Sequence, residues 1–207
     1  MNHIKVLIFD LGNVIVPLEE LSYWWEQLFL PIFQQKEAVR KLLDDGFFID
    51  FERGDFDEEH FLNALSISLK PEFSKEDIIR RWNLILKVIP SHRVEFLRTL
   101  KAKGYLLYLL SNTNSTHIDC VRVQMQEVYG KDILEDIFDH CYYSYEINHV
   151  KPDIEIYKKV IKDQKIHPAE ALFIDDKMEN LDGAKELGIQ IRHITPEQDI
   201  IEVMKDL

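Results

Sequence analysis

Short apolar runs alternate along the chain with longer stretches in which apolar residues recur every three to four positions. That alternation predicts parallel strands joined by crossover helices. Ile4 to Phe9 is the first predicted strand. Tyr105 to Leu110 is apolar throughout, as a central strand covered on both faces requires. Ala171 to Ile174 is a third, and Cys141 to Ser144 and Gln190 to Arg192 are weaker ones. Between them, Ser91 is placed as the cap of a helix carrying Val94, Leu97 and Leu100 and ended by Gly104. Helical spacing recurs in Ile118, Val121, Met125 and Val128, and again in Ile154, Tyr157, Val160 and Ile161. Met178, Leu181, Ala184 and Leu187 repeat it once more, with Gly188 beyond as a left-handed terminator.

Residues 17–90 break this rhythm. They hold all three tryptophans and much of the phenylalanine at helical spacing, with no strong strand. Ser74 followed by Asp77 reads as a capping box leading into Ile78, Ile79, Trp82 and Leu86. The expected organisation is an α/β core formed by residues 1–16 and 91–207, with residues 17–90 inserted as a small helical domain. Trp24, Trp25, Phe47, Phe48 and Phe51 are expected to pack the insert, with some rings lining the mouth of a site.

Composition narrows the class. At 207 residues the chain exceeds a single domain of roughly 150 residues. Its composition, 46% hydrophobic and 30% charged, is ordinary for a folded protein and argues against disorder. The net charge of −12 argues against nucleic acid and anionic membranes as partners, because both need a basic face. An anionic ligand must then find a locally positive site. Cys120 and Cys141 do not form a CxxC, and they read as thiols of a reducing compartment. No apolar run reaches a membrane span, and the first is too short for a signal peptide, so the expected location is cytoplasmic. GxGxxG, Walker A, HExxH and GxSxG patterns are all missing, and the eight histidines are dispersed.

The informative residues follow the predicted strands. Asp10 follows the first, in Phe9-Asp10-Leu11-Gly12-Asn13-Val14. Ser111-Asn112-Thr113-Asn114 follows the second, and Asp175-Asp176 follows the third. In open parallel sheets, ligands sit at the carboxyl ends of the strands. Each group alone has a plain explanation as a cap, a turn or a solvated helix start. Together they place polar and acidic groups around one crevice. Converging carboxylates repel one another unless a cation sits among them, and an all-oxygen set favours magnesium. Lys151 precedes Pro152, and this reading puts Pro152 at the first helical position and Lys151 at a helix N-terminus. The helix dipole disfavours a cation there, so the lysine reads as serving a bound anion.

These residues, in this order, resemble the four motifs of the haloacid dehalogenase superfamily of hydrolases. Asp10 to Val14 looks like the first motif, Leu110-Ser111-Asn112 the second, Lys151-Pro152 the third, and Asp175-Asp176 with Asn180 the fourth. The helical insert stands where that family's first, C1-type, cap is found. FDLGNVIV, Glu52-Arg53-Gly54 and LSNTN are similar to the branch containing α-D-glucose-1-phosphate phosphatase. The resemblance implies a Rossmann-like, three-layer core and a phosphatase working through an aspartyl-phosphate. It makes Asp10 the nucleophile. Mg²⁺ is expected on Asp10, the Gly12 carbonyl and Asp176, with Asp175 or Asn180 reaching it directly or through water. Ser111, Asn112 and Lys151 are expected to hold the phosphoryl oxygens of a small phosphorylated metabolite, such as a sugar phosphate, in a monomer or homodimer.

One position departs from the superfamily pattern. Most of its phosphatases carry a second Asp two residues after the nucleophile as acid and base, and here that position is Gly12. Glu52, Asp55 and His60 in the cap are candidates to replace it. Two other readings stay open: a metal-independent 2-haloacid dehalogenase, and a catalytically silent binder of phosphorylated ligands on the same fold.

Overall fold

The computed structural model describes residues 3–207; the first two residues of the predicted core lie outside it. Five strands build the core: β1 (Val6–Phe9), β2 (Leu106–Ser111), β3 (His140–Tyr143), β4 (Ala171–Asp175) and β5 (Gln190–His193). All neighbours pair in parallel, in the order β3-β2-β1-β4-β5. Alternate side chains enter different layers. Leu7, Phe9, Leu107, Leu109, Leu172 and Ile174 pack into one cluster, while Val6, Ile8, Tyr108, Leu110, Ala171 and Phe173 pack into another. Both faces are therefore dry, which explains why the central strands are apolar without alternation.

The chain between β1 and β2 forms the helical insert. It comprises α1 (Leu21–Tyr23), a π-helical stretch Trp24–Phe29, a 3₁₀ turn Leu30–Ile32, α2 (Lys36–Asp44), α3 (Phe47–Arg53), α4 (Glu58–Ser66) and α5 (Lys75–Asn83). Its core is aromatic: Trp24, Phe29, Phe33, Phe48, Phe51, Phe61 and Trp82 are buried in mutual stacked and edge contacts. Edge and offset contacts of this kind add to the area that aromatic rings bury. The capping box at Ser74 and Asp77 is present, with the Ser74 N–H donating to Asp77 Oδ2 at 2.9 Å.

The helices α6 (Ser91–Ala102), α7 (Ser115–Tyr129), α8 (Ile133–Ile137), α9 (Ser144–Ile147), α10 (Ile154–Gln164), α11 (Met178–Lys185) and α12 (Ile200–Val203) complete the core. Among them, α6, α7, α8 and α12 supply buried residues to one face of the sheet, and α10 and α11 to the other. Three layers result.

Several sequence expectations shift. Ser91 lies inside α6, and extended Pro90 takes the cap position. Ser144 starts α9 instead of ending β3, because its hydroxyl is drawn into contacts with Thr113. Val128 and Met178 lie on the exposed sides of their helices. Pro152 is not the first helical residue: α10 begins at Ile154, capped by Asp153, whose carboxylate accepts from the Glu155 N–H at 3.0 Å. The Lys151–Pro152 peptide is cis.

Candidate active site

Strand register assembles the site. Phe9 is level with Ile174 on β4 and with Leu109 on β2. The next residues, Asp10 and Asp175, therefore stand side by side, and the Asp10 N–H donates to the Ile174 carbonyl at 2.9 Å. Neighbouring strands are about 4.8 Å apart, so in-register aspartates on one face are forced together. The crossover from β1 leads to β2 on one side, while β4 lies on the other. The crevice opens between these diverging connections, where such sheets bind ligands.

Lys151 bridges the pair. Its Nζ donates to Asp10 Oδ1 at 2.7 Å, to Asp175 Oδ2 at 2.7 Å and to the Leu110 carbonyl at 2.9 Å. The ammonium has three protons, and all are used. Its side chain is 1% exposed and lies over the Phe173 ring, 5.3 Å from the centroid. The helix-terminus explanation offered for Lys151 therefore gives way. The lysine is held by two buried carboxylates, and its residue precedes the Asp153 cap of α10. Burial works to lower its pKa, but Asp10 and Asp175 outweigh it, and the net direction is up.

Asp175 is fully buried and surrounded by donors. It accepts from the Lys177 N–H at 2.8 Å and from Asn180 Nδ2 at 3.0 and 3.1 Å, besides Lys151. Asn180 thus spends its amide N–H₂ on Asp175. Asp176 is less buried and accepts from Asn13 Nδ2 at 2.8 Å. Asn13 has positive φ (57°), a conformation Asn tolerates better than most residues. Its Oδ1 accepts from the Leu18 N–H at 3.2 Å, which ties the turn after β1 to the start of the insert.

Asn112 turns out to hold Lys151. Its Nδ2 donates to the Lys151 carbonyl at 2.9 Å, and its Oδ1 accepts the Lys151 N–H at 2.8 Å. Its side-chain amide thus positions this loop, and the residue also lines the crevice. Ser111 ends β2, is buried, and lines the crevice with Asp10, Gly12, Lys151 and Asp176. The cavity measures about 660 Å³. The five aromatic residues placed in the insert core do not line it. Its apolar wall comes from Leu11, Val16, Leu18, Leu21, Ile85 and Leu86, because the aromatic rings are consumed in packing the insert.

Oxygens of Asp10, Asp175 and Asp176 all lie within 4.8 Å of one another. One contacting ammonium faces three carboxylates, which leaves net negative charge in a poorly solvated place. Burial, with smaller contributions from Asp175 and Asp176, raises the pKa of Asp10 to about 7 even though Lys151 opposes the shift. A hard divalent cation fits this all-oxygen set and would remove that strain. Asp10 and Asp176, which accept fewer protein hydrogen bonds than Asp175, are the better placed to hold it.

Sequence reasoning missed three participants. Asn13 lies inside the first motif and Lys177 directly follows Asp176, but neither carries a distinctive spacing of its own. His117 was set aside with the other histidines. It stacks on Trp82 of the insert at 5.0 Å, lines the crevice, and is pushed down to about 4 by burial. Glu52, named only as one of three candidates, reaches the crevice from α3. Asp55 and His60 are exposed and do not line it.

Comparison with known proteins agrees with this geometry. Residues 4–188 match the haloacid dehalogenase-like hydrolases. The chain is 30% identical over 187 residues to a D-ribitol-5-phosphate phosphatase of Bacteroides thetaiotaomicron, covering 90% of each protein. It is 25% identical over 209 residues to a glyceraldehyde 3-phosphate phosphatase of Pyrococcus furiosus, covering 92% of this chain and 80% of that one. A solved haloacid dehalogenase family enzyme of B. thetaiotaomicron, in complex with magnesium and inorganic phosphate, superposes with a TM-score of 0.86. It is 33% identical and covers 97% of this chain and 99% of that one. The chain belongs to the haloacid dehalogenase-like hydrolases.

Proposed function

We propose that this haloacid dehalogenase-like hydrolase is a magnesium-dependent phosphatase of a small polyol or sugar phosphate, acting through an aspartyl-phosphate on Asp10. One observation carries the reading: Lys151 joins Asp10 to Asp175 at 2.7 Å each, with Asp176 alongside, at the carboxyl ends of β1 and β4. The relatives named above act on ribitol 5-phosphate and glyceraldehyde 3-phosphate, which supports a small phosphorylated polyol or aldose more than glucose 1-phosphate specifically.

Asp10 is the nucleophile. One of its carboxylate oxygens is held by Lys151, leaving the other to attack phosphorus. The Ser111 hydroxyl binds a phosphoryl oxygen, and the Lys151 ammonium, held by Asp10, Asp175 and the Leu110 carbonyl, offsets the charge of the phosphoryl group beside Asp10. Asn112, Asn180 and the Lys177 N–H fix Lys151 and Asp175 in advance, and such preorganised charge is the main source of phosphoryl-transfer catalysis. Asp10, Asp176 and the Gly12 carbonyl would hold Mg²⁺, with Asp175 close by. The ion would supply charge neutralisation, letting a phosphate dianion approach a carboxylate nucleophile. Water then attacks the phosphorus of the aspartyl-phosphate and releases inorganic phosphate. Attack on carbon, as in a dehalogenase, would need only Asp10 with Lys151 and Asp175 beside it, and gives Asp176 no role.

Phosphate release is to be measured across ribitol 5-phosphate, glyceraldehyde 3-phosphate, glucose 1-phosphate and p-nitrophenyl phosphate, with Mg²⁺ and with EDTA. Turnover of at least one ester that disappears in EDTA and in Asp10→Asn is expected. Activity surviving either treatment, or binding without turnover throughout, contradicts the proposal.

A further inference from the structure

Gly12 offers no side chain at the crevice, and a Cβ built there would lie 3.0 Å from Leu18 Cδ1. The space two residues past the nucleophile is thus taken by an apolar residue of the insert, and a proton donor must come from elsewhere. We propose that Glu52, presented by the last turn of α3, protonates the leaving-group oxygen in the first transfer and accepts a proton from the attacking water in the second. This rests on the phosphatase reading above.

The geometry begins with how α3 is fastened. The Ser144 hydroxyl accepts the Thr113 N–H at 2.9 Å and donates to the Glu52 carbonyl, so one oxygen joins the loop after β2 to the end of α3. Asn148 Nδ2 donates to the Arg53 and Gly54 carbonyls at 3.2 and 3.4 Å. Gly54, at φ +80°, lies flush on Tyr145: an added Cβ would come within 2.2 Å of the Tyr145 carbonyl oxygen. Elsewhere the insert forms its own aromatic core, but at Glu52 it is bolted to the catalytic layer. A carboxyl so placed lines the same crevice as Asp10 and Lys151.

The other titratable groups lining the crevice, among the described residues, are otherwise engaged. Glu19 is kept ionised by the Glu20 N–H and Lys87. Glu20 is likewise kept ionised by Ser22 and the Tyr23 N–H. Glu197 is held low by the Thr195 hydroxyl. His117 is neutral near pH 7. Lys151 is shared between two aspartates, and Asp176 accepts from Asn13. Glu52 alone among these glutamates is shifted upward, to about 7. Burial is the cause, with Lys177 and Lys151, the cations facing it from the core loops, opposing the shift. Arg53, beside it, is engaged by Asp50 and Asp55. A carboxyl near its midpoint at neutral pH can give and take protons with little penalty.

The steps balance. Asp10 Oδ forms a bond to phosphorus, the bond from phosphorus to the leaving oxygen breaks, and that oxygen takes the Glu52 proton. In the second transfer, water gives a proton to the Glu52 carboxylate as its oxygen bonds phosphorus. The bond to Asp10 breaks, phosphate leaves, and both carboxyl groups return to their starting forms.

The test compares kcat/KM, which reports the first transfer, for an alkyl ester (ribitol 5-phosphate) and an activated aryl ester (dinitrophenyl phosphate). General acid catalysis is worth about 10²–10⁴-fold, and only the alkyl leaving group needs it. Glu52→Gln is expected to lower kcat/KM on the alkyl ester at least tenfold more than on the aryl ester. Equal losses, or none, overturn the assignment. If the variant does not fold, the wild-type pH profiles decide. The acid must be protonated, so kcat/KM on the alkyl ester should fall as pH rises through about 7, with no such fall for the aryl ester; coincident profiles overturn it. Failure of the wild type to hydrolyse any ester, or full activity of Asp10→Asn, refutes the phosphatase reading instead.

Discussion

Replacing Lys151 by Met tests the electrostatic logic of the site. Methionine matches the lysine stem but removes the ammonium that bridges Asp10 and Asp175 at 2.7 Å each. The side chain is 1% exposed, so water cannot take over its role. Removing one partner of a buried ion pair leaves the other charge uncompensated and costs about 3–5 kcal/mol. At about 2–4 °C per kcal/mol for a protein of this size, Tm should fall by roughly 6–20 °C. Arg98→Met is the control, because Arg98 and Asp136 form an exposed pair at 2.9 Å, where about 0–1 kcal/mol is expected. Both variants are to be melted in EDTA at pH 8. The same comparison at pH 5.5 gives a sign test. Asp10 has a folded pKa raised to about 7 from 3.8, so its ionisation opposes folding as pH rises through 7 and does so less at lower pH. The Lys151→Met deficit should therefore shrink at pH 5.5. A Lys151→Met deficit no larger than that of Arg98→Met at pH 8 refutes the reasoning.

Two further outcomes follow from the same geometry. Mg²⁺ at about a hundred times its Kd should stabilise the folded protein by about 2.7 kcal/mol, and Asp176→Asn should abolish most of that gain in thermal melts without phosphate; an unchanged Mg²⁺ response would remove Asp176 from the ion site. Gly54→Ala places a Cβ 2.2 Å from the Tyr145 carbonyl at positive φ, which should cost about 1–3 kcal/mol and lower phosphatase activity by displacing α3, while Gly130→Ala, with nothing within 4 Å of the added Cβ, should leave activity intact.

The parallel sheet was legible because its central strands are buried on both faces, and a run such as Leu107 to Leu110 has few other uses. The carboxylates were legible because each follows such a run directly. Lys151 was legible as a site residue but for the wrong reason: only the fold shows that two aspartates hold it. The same distance in sequence hid the second role of Asn112, whose amide closes on the backbone of a loop 39 residues away. The aromatic insert was legible as helical and apolar, but not in which residues it gives to the crevice.

By itself the sequence determined the order of the strands and of the longer core helices, the acidic groups at strand ends and the lack of a side chain at residue 12, since periodicity and residue type are local properties. Tertiary structure decided which groups meet. Parallel register set Asp10 beside Asp175, close burial turned Lys151 into their bridge, and the Ser144 and Asn148 contacts fastened the end of α3, with Glu52, at the crevice. Those relations are set by distances across the fold and by the loss of water between the groups, and no local pattern encodes either.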